Sequence, residues 1–200
     1  MTANNPFEAL ILQIHTELRT TRELVYNMAA ALDSMEGKTF DPEAAFINFA
    51  NDFWMMAHYV MGADFVIRQS EVDMFNLIFK NENIYTTIER AQEKRMEAKK
   101  EFEANYRIPR SLHYLVKYFK YAYGMGALTS NDCSSSFDRM INLYGLILSL
   151  IVKADTKAHK VEIDAVYLIL ENCESYIRQE TNFNYKISKS VMNMISAALA

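Results

Sequence analysis

The sequence predicts an all-α protein, on three observations. Apolar residues recur at spacings of three, four and seven over long stretches, the mark of one buried helix face. Gly and Pro are scarce, five and three in 200 residues, too few for the dense turns of a β-sandwich or barrel. No segment alternates apolar and polar residues as a half-buried strand would. Half the residues are hydrophobic and 23% are charged, which excludes a disordered or collagen-like chain. At about 100–200 residues per domain, residues 1–200 form a single domain of about seven to eight helices.

Each helix has its own signals. Asn5-Pro6 opens the first by Asn capping and Pro at the first helical position. Phe7, Leu10, Ile11, Ile14, Leu18, Val25, Met28 and Leu32 then form its apolar face, and Gly37 stops it. Asp41-Pro42 opens a second helix, which runs through Trp54 and Tyr59 to about Gly62. Ser70-Glu71-Val72-Asp73 resembles a capping box for a third, ending near Lys80. From Asn83 to Tyr106 charges dominate, and the pairs Arg90/Glu93, Lys94/Glu97 and Glu97/Lys100 support a helix with little to bury. This insert, about 83–107, is expected to be solvated and open to protease, and Pro109 ends it. Arg110–Tyr123 is again helical, and Thr129–Ser136 reads as a loop. Three helices follow, at about Phe137–Lys153, Val161–Gln179 and Lys186–Leu199.

The chain repeats itself at an offset of 91 residues. Ala63-Asp64, six residues and Glu71-Val72-Asp73 match Ala154-Asp155, six residues and Glu162-Ile163-Asp164. Seven of the 34 positions from Ile47 to Lys80 are identical to their counterparts in 138–171, including Asn51/Asn142, Leu77/Leu168 and Ile78/Ile169. Two helix–loop–helix repeats, about 47–80 and 138–171, are the expected framework, related by a near two-fold rotation. Leu77, Ile78, Leu168 and Ile169 are expected in one core. In each copy the first Asp falls where one helix ends, and the Glu and second Asp fall in the first turn of the next.

Two readings of those acids stand side by side. Helix N-termini carry free N–H groups and partial positive charge, so the acids serve as caps. Alternatively Asp64, Glu71, Asp73, Asp155, Glu162 and Asp164 present oxygen ligands to a divalent metal cation, with Ca, Mg or Mn preferred over Zn. Neither copy is an EF-hand: counting from Asp64, positions 3, 5, 6 and 12 hold Val66, Arg68, Gln69 and Phe75.

The duplicated pattern of apolar helix, Ala-Asp, six residues, Glu and apolar helix resembles the TerB-like (tellurite-resistance B) helical family. Asp64/Glu71 and Asp155/Glu162 match the family's acidic pair position by position, over about a third of the chain. Phe65 and Thr156 stand where the family usually has Gly, and the charged insert makes this a divergent member. The resemblance implies a bacterial, cytoplasmic, non-enzymatic protein of the stress response, with metal at the acids. A metal-dependent hydrolase activating water with the same carboxylates is an alternative. Helical metallohydrolases generally place several histidines near their acids, and of four only His58 and His159 qualify. A ligand-free structural or dimerisation module is a third reading.

Other chemistry is sparse. Cys133 and Cys173 cannot build a disulfide framework or a four-cysteine metal site. Net charge is −4, with pI near 5.6, so no nucleic acid partner is expected. No secretory signal is expected, and the apolar stretch Ile141–Val152 is shorter than the roughly 20 residues of a membrane span. An unidentified protein partner or a homodimer is expected instead. Arg107, Arg110, His113, Lys117 and Lys120, with the nearby tyrosines, are the only basic–aromatic cluster, and most simply cover packed rings.

Overall fold

The computed structural model describes residues 7–155 and 158–200, and among these the chain is helical with no strand. Eight helices follow in order: α1 (Glu8–Met35), α2 (Pro42–Met61), α3 (Gln69–Phe79), α4 (Ile88–Ala104), α5 (Arg110–Gly124), α6 (Ser130–Lys153), α7 (Lys160–Thr181) and α8 (Lys189–Leu199). A single 3-10 turn, Lys80–Glu82, follows α3. The Asn5-Pro6 start and Thr156 lie outside the described residues.

The helix boundaries follow from local chemistry. Asp41 caps α2 by accepting from the N–H groups of Glu43 and Ala44, both at 3.0 Å, with Pro42 in the first turn. Gly37, at φ +68°, turns the chain after α1 in a conformation that a side chain would strain. Thr129 and Asp132 form a capping box, so the Ser-rich stretch expected to be a loop is the first turns of α6. The box at α3 also sits earlier than the sequence suggests. Arg68 is the capping residue, and Glu71 rather than Asp73 reaches back to it.

Helix α6 is the axle of the bundle. It packs against α1, α2, α3, α5, α7 and α8, and from Ile141 to Val152 only Asn142 is not fully buried. By length and composition it could cross a membrane, yet its apolar residues are mostly enclosed by the other helices. The buried side chains form one continuous cluster, which includes Phe53, Phe75, Phe79 and Tyr144. Gly145 lets α8 approach: a Cβ there would lie 2.3 Å from Cδ1 of Ile195.

Two expectations about burial need correction. Ile78 and Ile169 are fully buried and Leu77 is packed at the edge, but Leu168 is 37% exposed. The charged insert is solvated over most of its surface but has more to bury than expected. Ala91, Ala98 and Phe102, spaced at seven and four, are buried against α2, and Arg95 between them donates to the carbonyl of Phe65. Alanine is small, so this apolar stripe is narrow and the charges around it hide it in the sequence.

Candidate functional site: an arginine among the duplicated acids

The connection before α3 and the connection before α7 meet. Each helix opens with the same chemistry, a Glu at the third helical position accepting from the N–H of the capping residue. Arg68 N donates to Glu71 Oε2 at 2.7 Å, and His159 N donates to Glu162 Oε2 at 3.2 Å. Arg68 and His159 are themselves 91 positions apart, and they touch: Arg68 Nη2 lies 2.9 Å from His159 Nε2. For that contact to be a hydrogen bond, His159 Nε2 must be the unprotonated nitrogen.

The Arg68 guanidinium is the centre of the site. Its Nη2 contacts Asp64 Oδ2 at 2.7 Å, its Nε contacts Asp155 Oδ2 at 2.9 Å, and its Nη1 reaches Glu162 Oε1 at 3.3 Å. Nη1 also donates to the carbonyl of Val66 at 3.1 Å. Asp64 in turn accepts from the N–H of Val66 through Oδ1. Each guanidinium nitrogen therefore meets a different carboxylate, one before α3 and two from the segment opening α7. A planar fork of donors suits this arrangement better than an ammonium would.

The acids are not equal. Glu71 is wholly buried, and burial, reinforced by the nearby Glu162 and Asp64 charges, pushes its carboxyl up to about 8. Its Oε1 has no hydrogen-bond partner. Burial also raises Glu162. For Asp64, burial acts upward, but the bonds from Arg68 and the Val66 N–H win and hold it below the usual carboxylate range. Asp73 is outside the cluster, accepting from Gln69 Nε2 at the surface, and Asp164 lines a neighbouring groove.

The sequence-predicted ligands thus divide. Asp64, Asp155 and Glu162 converge, Glu71 stands behind them, and Asp73 and Asp164 do not join. The point of convergence holds a guanidinium, whereas a hard cation wants about six to eight oxygens at its own surface. No group of three or more His, Cys, Asp or Glu among the described residues is arranged to hold a metal ion. As arranged, this donor set fits an arginine and does not fit a resident divalent cation. His58 is no ligand here either. Its Nδ1 bonds the Trp54 carbonyl at 2.7 Å, its ring stacks on Trp54, and burial pushes it down to about 4.

Beside the acids lies a groove of about 260 Å³. Its floor is His58, Tyr59, Gly62 and Ala63, and its walls come from α4 and α7. Phe65 stands at its mouth, 64% exposed and at φ +68°, a conformation in which a bulky residue is a rarity. Arg95 holds the Phe65 carbonyl, and Lys99 Nζ sits 5.8 Å over its ring. Met96, Val161 and Leu168 add exposed apolar surface. Sequence reasoning missed this groove, although an aromatic directly after the first Asp was a signal.

The basic–aromatic cluster is held by partners within the fold. Arg107 bonds Tyr59 Oη and Glu103, Arg110 bonds Asn48, His113 meets Tyr176 Oη at 2.6 Å, and Lys117 pairs with Glu36. Both cysteines are buried. No protein-family model matches this chain, and no curated protein or solved structure matches it at a significant level.

Glu71 makes stability depend on pH in a defined direction. The folded protein keeps its proton to about pH 8, while an unfolded glutamate loses it near its ordinary value of 4.5. Between these the folded state binds more protons, so stability falls as pH rises and levels off above 8. The slope should approach about 1.4 kcal/mol per pH unit. Urea unfolding between pH 6 and 9 should show this decline in the wild type. Glu71→Gln should remove most of it, since an amide oxygen still accepts from Arg68 N. An unchanged slope would mean another group carries the effect.

Proposed function

We propose that the chain is a non-enzymatic, TerB-like interaction module of the cytoplasmic stress response, built on a duplicated helix–loop–helix unit. The observation that carries an interaction role is the apolar groove at the mouth of which Phe65 is held strained and exposed. Backbone strain of this kind costs roughly 1–3 kcal/mol and persists only where the surroundings enforce it. Here two cations of α4 hold the residue at the surface instead of letting it turn inward. The carboxylates that a metallohydrolase would need are bound up in helix caps and in Arg68, which favours a binding role over catalysis.

The occupant is a segment of a partner protein that carries a large apolar side chain flanked by acidic residues. The groove accommodates one such side chain, and the α4 wall presents Arg95 and Lys99 to the flanking acids. A photo-crosslinking residue placed at Met96 tests this in the source cells. The adduct should map to an apolar–acidic segment whose synthetic peptide competes for the site, and Leu168→Glu should abolish it. An adduct insensitive to Leu168→Glu refutes the groove as the docking site. An adduct to a second copy of the chain replaces this reading with a homodimer.

A further inference from the structure

We infer that Arg68 is a built-in cation: its side chain takes the place of a divalent ion at the convergence of Asp64, Asp155 and Glu162, and so ties the start of α3 to the start of α7 without metal. The inference is independent of the groove and its occupant.

Three observations carry it. The first is stoichiometric. The three nitrogens of one guanidinium each engage a different carboxylate, at 2.7, 2.9 and 3.3 Å. The second is topological. Those carboxylates come from two connections 91 positions apart in sequence, so the contact joins segments that no covalent link holds. The third is electrostatic. Three carboxylates gathered at two helix starts need a positive charge among them, and this chain supplies it from the capping residue of α3. The solution has a geometric cost and a benefit. An arginine cannot be stripped by a chelator, yet it is anchored to α3 and can satisfy only acids that lie in its plane.

The same residues define what happens when the side chain is removed. Arg68→Ala leaves three carboxylates facing one another around an open space, with the His159 imidazole at its edge, and carboxylate oxygens are the donors that calcium, magnesium and manganese prefer. The test compares thermal unfolding of wild type and Arg68→Ala, with and without each ion at millimolar concentration, against sodium at matched ionic strength to remove general screening. Wild-type Tm should not respond specifically to any divalent ion. Arg68→Ala should melt about 10 °C lower, since a partly buried charge network has lost the cation at its centre. One of the divalent ions should return several degrees of this, and titration calorimetry should show it binding the variant and not the wild type. Should Arg68→Ala not fold alone, Arg68→Gln keeps the Cβ–Cδ stem and a polar end without the charge and takes the same measurements.

Three results would overturn the inference. A specific rise of wild-type Tm with a divalent ion would mean that metal displaces or accompanies Arg68, and the ligand reading of the acids would stand. An unchanged Tm in Arg68→Ala would mean the guanidinium ties nothing. A loss that no divalent ion restores would leave an ordinary ion-pair node with no relation to a cation site.

Discussion

Replacing Asp52 with Ala should destabilise the protein by about 3 kcal/mol, read as a lower urea midpoint with an unchanged slope. Asp52 lies in the middle of α2 and is 3% exposed. Its carboxylate caps another helix: Oδ1 accepts from Arg110 N at 2.7 Å and Oδ2 from Ser111 N at 2.6 Å, at the first turn of α5. The residue before that turn is Pro109, which offers no capping side chain. Without Asp52 two N–H groups are left in the interior, each at a cost of about 1–3 kcal/mol. Asp52→Asn should cost less, because one oxygen still accepts. Burial pushes the Asp52 carboxyl up to about 6, against the pull of the Ser111 and Arg110 donors. The wild type should therefore lose some stability as pH rises from about 4 to 6, and both variants should lack that component. A loss below 1 kcal/mol in Asp52→Ala would mean water replaces the cap.

Gly145→Val should cost a comparable amount, about 3 kcal/mol, through overpacking. An added Cβ would meet Ile195 Cδ1 at 2.3 Å and Cγ1 at 2.6 Å. Ile195 is fully buried, so its side chain has nowhere to turn, and α8 must move away from α6. The proof lies in the double mutant. Ile195→Ala alone leaves a cavity and destabilises, but in the Gly145→Val background it makes room for the valine. The two changes should cost at least about 1 kcal/mol less together than their sum. Additive losses would show that the valine clashes elsewhere.

Much of the helical layout was legible in the residues, because caps are local. Asp41-Pro42 and Gly37 mark their boundaries through bonds and torsions set within four residues. The start of α3 was misplaced because arginine carries no capping signal; counting three residues back from each duplicated Glu leads to Arg68 and His159. The repeat of Asp64, Glu71, Asp155 and Glu162 was visible as a pattern, but the residue between them was not. What a cluster of acids holds depends on a meeting of two distant connections. Asp52 was overlooked for the same reason: a cap in trans has no spacing rule. The docking of α4 was hidden by size, since Ala91 and Ala98 bury well but score as weakly apolar among so many charges.

The enclosure of α6 bears on how the chain is made. On a ribosome this helix emerges before α7 and α8, the two elements that must still cover it. Asp138, in its third turn, accepts from Tyr185 Oη and from Ser188 N, a residue 50 positions later. Until that stretch has left the exit tunnel, a nascent chain displays an apolar helix with the length and hydropathy of a membrane segment. Chaperones and insertion machinery read such surfaces in unfinished chains, so the interval before α8 docks is when this protein is most exposed to misrouting and aggregation. Slowing translation within residues 160–199 should lengthen that interval and lower the yield of folded protein, while the same slowing within α1 should not.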